Sequence, residues 1–378
     1  MIDLGSIDPV EIERQGYTIQ WFITDIAKYI ILQTISKASE IYGFNYVLGG
    51  GSCLNDIYFP RRYRGFSRDI DLYMVDLSPH DFVLYLNNVL RGTGMYREHV
   101  VFGEKLVTQG FIYVGETRLN HVYKYRMELP QSIGCGLKLS DIIPYRIKRL
   151  REFNKWWMEH KSRLPRIYEI EVSVFKGRRP YAHPVETRDY LIDFLEKRGY
   201  KPVSVRVFSL EDLVAGKIEG IVSAFVSRGF LKGRVTGRRE LKPRDIYDLA
   251  IVFSNKMYSR EKIIKSIDTL RLDIMVALKA LRLVLLHSLC NPQLYYRLLA
   301  IAPHLRGNIE FWIETLYRAY HNTLDIMDHT PDDHIAYMLI TKGKIDREAV
   351  KKRFKISDPQ ITKIIHRLEE LGIGQVKT

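Results

Sequence analysis

Three cysteines in 378 residues, Cys53, Cys135 and Cys290, fall at unrelated spacings. That scarcity excludes a disulfide framework and a zinc knuckle, and it fits a reducing cytoplasm, the compartment expected here. Long apolar runs are missing as well. The most apolar stretch, Ile274 to Leu289, is broken by Lys279, Arg282 and His287, so it reads as a buried helix and not as a membrane span. The first residues, Met1 to Gly5, lack the basic and apolar regions of a signal peptide. Internal repeats and low-complexity segments are absent. Acidic side chains are in deficit, with 44 Asp and Glu against 58 Lys and Arg, a net charge of +14. Such an excess favours a polyanionic partner, nucleic acid or nucleotide, over a membrane.

What is present is ordinary globular material, 46% hydrophobic and 27% charged, in a chain long enough for two or three domains. Residues 8 to 42 show helical periodicity through Ile19, Phe22, Ile23, Ile26, Ile30 and Ile31. From 45 to about 175, strand patterns (Tyr46–Leu48, Ile70–Val75, Phe111–Val114, Val122–Met127, Ile167–Phe175) alternate with helical ones. From Ser209 to Tyr320 the pattern is almost wholly helical. Thr330-Pro331-Asp332-Asp333 reads as a linker. The expected organisation is an α+β fold: a sheet domain with N-terminal helices (1–205), a helical domain (206–330) and a small C-terminal module (331–378).

The richest local pattern is Leu48-Gly49-Gly50-Gly51-Ser52, followed by Arg68-Asp69-Ile70-Asp71-Leu72. Strand residues two apart point the same way and lie about 6.6 Å from each other, so Asp69 and Asp71 face one pocket. Two acids on one face repel unless a cation lies between them, which points to a divalent metal, Mg²⁺ or Mn²⁺. The glycines let backbone N–H groups approach an anion closely. No Gly-Lys-Ser/Thr follows, so this is not a Walker A loop, and the spacing is not that of a dinucleotide fold. Phosphate cradle plus metal carboxylates means metal-assisted nucleotidyl or phosphoryl chemistry.

In Tyr168 to Phe175, the face opposite Ile170, Val172 and Val174 carries Glu169, Glu171 and Ser173. Glu171 is a candidate third metal ligand or proton acceptor; Glu169 reads as a surface residue. Ser209 and Asp212 form a cap-like helix start. The apolar stripe of Leu213, Ile221 and Ala224 then holds Lys217 on its buried side, where an ammonium needs an anionic partner. A nucleotide triphosphate is one such partner; Asp245 or Asp248 is the other. Arg146 to Arg166 and Arg228 to Arg244 are basic stretches, the first with Trp156 and Trp157, suited to nucleic acid or to solvent. Near the C-terminus, Ile335–Ile340, a helix capped by Asp346 and running to Phe354, and a helix capped by Ser357 outline a helix-turn-helix. Its third helix offers Gln360, Lys363, His366 and Arg367 to a nucleic-acid groove.

Gly-Ser followed by Asp-x-Asp resembles motif I of the polymerase-β-type nucleotidyltransferases. The version here, Ser67-Arg68-Asp69-Ile70-Asp71-Leu72, resembles that of the AbiEii/AbiGii toxins of abortive-infection and toxin–antitoxin systems. Glu169 to Ser173, Leu213 to Lys217 and Lys242 to Leu249 resemble that family's later motifs, in the same order, over roughly residues 40 to 255. Glu169 and Glu171 depart from it, standing where the family has lysine and aspartate. The resemblance implies a polymerase-β-like sheet domain and an NTP-dependent transferase releasing pyrophosphate. It also implies Asp69, Asp71 and Glu171 as metal ligands, Gly49, Gly50, Gly51, Ser52, Arg68 and Lys217 as nucleotide contacts, and Lys217 and Asp245 in catalysis. RNA, most simply a tRNA 3′ end, is the implied acceptor, and an antitoxin protein an implied partner. A protein acceptor, or a DNA-binding regulator on a weak nucleotide-binding core, are the alternatives. Arg353 to Ile356 with Leu371 to Gly374 resembles winged-helix domains such as the γ domain of the FtsK translocase, which implies DNA binding by that module.

Overall fold

The computed structural model describes residues 19–65, 67, 69–73, 75–93, 96–101, 104–117, 122–130, 152, 155, 167–175, 180–197, 199–227 and 241–373. The chain divides into two compact units, each drawn from separate segments. The first comprises Met1–Cys53, Arg68–Arg179 and Glu186–Val207; the second comprises Leu54–Ser67, Pro180–Val185 and Phe208–Thr378.

In the first unit, α1 (Ile19–Tyr42) leads to β1 (Val47–Gly49) and the short α2 (Gly50–Cys53). After β2 (Ile70–Tyr73) and α3 (Pro79–Gly92) come β3 (Arg97–Val101), β4 (Glu104–Thr117), β5 (Val122–Pro130) and β6 (Ile167–Phe175). The unit closes with β7 (Glu186–Tyr190), α4 (Asp193–Glu196) and β8 (Val203–Val207). The strands form one mixed sheet in the order β3-β4-β5-β6-β2-β1-β8-β7. β2 is central, antiparallel to β1 and parallel to β6. Ile70, Leu72 and Val172 are fully buried, so the alternation of the sequence fixes which side of β2 and β6 faces the core. α1 packs on α3 and β8, and α3 on β4. Ser78 caps α3 by accepting from the Asp81 N–H, with Pro79 in its first turn.

The sheet extends past the expected 45–175 region through β7 and β8. In β8 the valines at 203, 205 and 207 are buried between less buried neighbours, a period-2 signal. β7, Glu-Thr-Arg-Asp-Tyr, is an edge strand buried only at Tyr190, and its polar face carries little pattern to read.

The second unit is helical. A π-turn at Leu54–Tyr58 and a 3₁₀ turn at Arg61–Tyr63 precede α5 (Leu210–Ser227), α6 (Pro243–Ser254), α7 (Arg260–Thr269), α8 (Ile274–Leu289) and α9 (Pro292–Leu298). α10 (Ile309–Thr323), α11 (Pro331–Lys342), α12 (Arg347–Phe354) and α13 (Asp358–Glu370) follow. α8 is the predicted apolar helix and packs against α5, α10 and α11. Among the described residues, no single helix is long and apolar enough to cross a membrane.

The linker expected at Thr330–Asp333 is instead a buried joint. Thr330 caps α11 in a reciprocal box with Asp333. Asp333 pairs with Arg282 of α8 at 2.9 Å, and both side chains are 0% exposed. Arg282 also donates to the Thr323 hydroxyl and carbonyl and to the carbonyls of Met327 and Asp328. A fully buried guanidinium requires this degree of satisfaction, so 330–333 is fixed by an ion pair to the middle of α8. The three C-terminal helices stand where the sequence placed them, with Asp346 and Ser357 as caps. No strand follows α13 among the described residues.

Candidate functional site

In the first unit the site grows from the end of β1. Gly49 lies opposite Asp71 in the β1–β2 register. Gly50 follows at φ +65, and a Cβ built on it would lie 1.9 Å from Asp71 Oδ2. The Asp71 carboxylate therefore rests directly on the Gly50 backbone, in space that a side chain would occupy. Position 50 needs glycine for its left-handed conformation and for this close approach. Ser52 is buried and its hydroxyl donates to the Asp69 carbonyl, tying the glycine turn to the entrance of β2. A hydroxyl has one proton to give, so in this arrangement Ser52 positions the Asp69 backbone and donates nothing to a phosphate.

β6 brings the third acid alongside. Ile70 pairs with Val172 and Asp71 with Ser173, so Asp69 and Glu171 each stand one residue before the Ile70–Val172 pair on adjacent parallel strands. Asp69 and Glu171 are exposed and Asp71 is half-buried. Ser173 donates to Glu171 Oε1 at 3.4 Å. Among the described residues no three His, Cys, Asp or Glu side chains are grouped so as to hold a metal ion, so the expected set of Asp69, Asp71 and Glu171 is not brought together as three ligands. The donor set nevertheless fits Mg²⁺: hard carboxylate oxygens two residues apart, with one of them seated where a Cβ is forbidden. Mg²⁺ is commonly held by one or two carboxylates together with substrate phosphates and waters. Arg68 and the side chain of Glu169 lie outside the described residues.

In the second unit the polar centre is Lys217. Ser209 and Asp212 start α5 as expected, with the Asp212 N–H donating to Ser209 Oγ and that hydroxyl donating to Asp212 Oδ2. Two turns on, Lys217 Nζ meets Asp245 Oδ1 at 2.6 Å and Asp248 Oδ2 at 2.8 Å. Pro243 opens α6, which sets Asp245 and Asp248 three residues apart on one side of the helix. Burial pulls the Lys217 pKa down, but the two carboxylates outweigh it and the net shift is upward from 10.5. Of the anionic partners that the sequence offered, both aspartates are thus engaged at once.

Asn55 is the member of this centre that the sequence did not reveal. Its amide donates to Asp248 Oδ1 at 3.0 Å, and its carbonyl oxygen accepts from the Gly65 N–H at 2.7 Å. No local pattern marks an asparagine that acts across 193 positions. Arg244 sits 3.8 Å from Asp248 through Nε, and its buried Nε and Nη2 lack a hydrogen-bond partner among the described residues.

The C-terminal candidates divide. Lys363 and His366 are exposed on α13. His366 stands 3.4 Å from Glu369, and Arg367 is paired with Asp332 at 3.0 Å. Gln360 is held in its own helix cap, accepting from the Ser357 N–H and hydroxyl. Lys363, His366 and Arg367, with Asp358, Pro359, Thr362 and Glu370, line an open groove of about 700 Å³, and Gln360 is not part of it. The basic stretch 146–166, apart from helical positions 152 and 155, and the loop 228–240 lie outside the described residues.

A mixed sheet presenting a glycine–serine turn and neighbouring carboxylates, followed by a helical region with a motif lysine, defines the class: a nucleotidyltransferase. Residues 31–288 match the profile of the nucleotidyl transferase AbiEii toxin family, described as belonging to a type IV toxin–antitoxin system, and the chain belongs to that family. An NTP substrate, divalent-metal chemistry and an antitoxin counterpart are typical of that family. Among solved structures, the chain is similar to MenT4, the nucleotidyltransferase toxin Rv2826c of Mycobacterium tuberculosis H37Rv. The match has 13% identity and a TM-score of 0.43, covering 97% of this chain and 99% of that one. None of the curated proteins compared with it matches.

Proposed function

We propose that the protein transfers a nucleoside monophosphate from an NTP to an RNA hydroxyl, most simply at a tRNA 3′ end. Asp69 and Asp71 would hold the divalent ion, which when bound supplies positive charge to the phosphate oxygens. The acceptor hydroxyl attacks the α-phosphorus, the bond from that phosphorus to the bridging oxygen breaks, and pyrophosphate leaves. Glu171, exposed one strand from Asp69, takes the hydroxyl proton. Backbone groups of Gly49, Gly50 and Gly51, with Arg68, bind the triphosphate, and Ser52 keeps Asp69 in place. Lys217 exchanges a carboxylate for phosphate: Asp245, partly exposed, is the partner that yields, while fully buried Asp248 stays. The three C-terminal helices form a winged-helix-like accessory module, so the functional division falls near residues 205 and 330.

The observation that carries this reading is the Asp71 carboxylate seated on Gly50. It joins the acid pair and the glycine turn into one construction, and a solvated strand edge beside an unrelated turn has no need of it. The test is incubation with each labelled NTP, Mg²⁺, total RNA and lysate protein, using the wild type, Asp69→Asn and Asp71→Asn. Label in RNA, lost by about 10²-fold or more in either variant with unchanged melting temperature, is the expected result. Label in protein alone would replace the acceptor, and wild-type rates in both variants would remove the site from β2.

A further inference from the structure

The free positive charge of the C-terminal module does not lie on the helix that a groove reader would use. α13 carries Lys363 and Arg367 against Asp358, Glu369 and Glu370, and Arg367 is already paired with Asp332. The segment 342–355 is different: seven of its residues are Lys or Arg, and only Asp346 and Glu348 are acidic. Both acids are answered locally. Asp346 caps α12 by accepting from the Ala349 N–H, and Glu348 meets Lys351 at 2.5 Å. Asp358 is likewise met by Lys351 at 3.0 Å and Arg347 at 3.5 Å. Lys342, Lys344, Lys352 and Lys355 remain, all exposed and without an ion pair among the described residues.

Lys355 adds an observation of its own. It ends α12 in the left-handed conformation at φ 52, where glycine is the favoured residue. An L side chain there is strained by more than a cation gains from the helix terminus. Ending the helix does not account for a lysine at this position.

We propose that Lys342, Lys344, Lys352 and Lys355 hold the phosphate backbone of base-paired RNA, and that α13 reads no groove. The proposal rests on the RNA acceptor reading above and names the surface that grips it. The major groove of an RNA duplex is too narrow for side chains to read, so such a duplex is recognised by its backbone and shape. A segment rich in uncommitted lysines, leading into a helix with few free donors, suits that mode.

The test measures binding to a 16-base-pair RNA duplex, about the span of a duplex-RNA module, and to DNA of the same sequence, across a salt series. Lys352→Gln/Lys355→Gly should weaken RNA binding and make the log–log salt slope shallower by about 1–2. Its melting temperature should not fall, because glycine relieves the strained position. Lys363→Gln/His366→Gln should leave the slope unchanged. An unchanged slope in the first variant, an equal loss in the second, or tighter binding of DNA than RNA would each overturn the proposal. Lysine-dependent RNA binding by a protein that labels no RNA would uphold this surface and sink the acceptor assignment instead.

Discussion

Gly50 and Gly43 make a controlled pair for the residue scale. Both have positive φ, +65 and +73, but a Cβ on Gly43 meets nothing within 4 Å while one on Gly50 runs into Asp71. Alanine at either position should cost about 1–2 kcal/mol through backbone strain. Only Gly50→Ala must also displace the Asp71 carboxylate, so only it should lose nucleotide transfer, by a factor well beyond its loss of stability. Melts and transfer rates on the two variants check this; equal activity losses would separate Gly50 from the chemistry. The acids and glycines of this turn were legible in the sequence because their constraints are local: alternation along one strand, and a backbone bend that excludes side chains. The role of Ser52 was not, because nothing local says whether a hydroxyl faces a ligand or the neighbouring carbonyl of Asp69.

At the scale of elements, α5 and α6 are joined by charge. Lys217 between Asp245 and Asp248 should behave as a unit: Lys217→Ala leaves two carboxylates facing each other and should destabilise the protein by about 3–5 kcal/mol. Lys217→Ala/Asp245→Ala should recover part of that, and a double-mutant cycle by denaturant melts measures how much. Because the Lys217 pKa is raised in the folded state, its contribution is fully present below 10.5 and is lost as pH rises through the higher folded value. The wild type should therefore lose stability above pH 10.5 more steeply than the double variant. In transfer assays, Asp245→Asn should alter the dependence on NTP, whereas Asp248→Asn should chiefly lower the melting temperature, since Asp248 is fully buried and also holds Asn55. Helix phase showed that Lys217 needed an anion. It could not show that both aspartates serve at once, because that depends on where α6 docks. β7 was hidden for a related reason: an edge strand buried at one residue has no periodicity to display.

For the whole molecule, the joint at 330–333 decides how the chain can be cut. Ending it at residue 330 removes Asp333 and leaves Arg282 buried beside α10 without its carboxylate, so that fragment should unfold at markedly lower temperature. Full-length Asp333→Ala should show the same defect, about 3–5 kcal/mol, and Arg282→Met/Asp333→Leu should restore much of it. A truncation at 330 that melts like the full chain would show that the C-terminal helices are an appendage. The sequence marked this place by its Thr-Pro-Asp-Asp composition, which suits a linker and a helix cap equally; the partner that decides between them lies 51 positions away in α8. Distance along the chain also has a temporal meaning. Asn55 leaves the ribosome long before Asp248, and at bacterial-like elongation rates the 193 positions between them take about 10–40 s to synthesise. Through most of that interval the nascent chain already contains Gly49, Gly50, Gly51, Asp69 and Asp71 but lacks Asp248, so the lysine centre cannot yet assemble. On the role proposed for Lys217, transfer activity waits for that centre, and the interval is open to a neutralising partner.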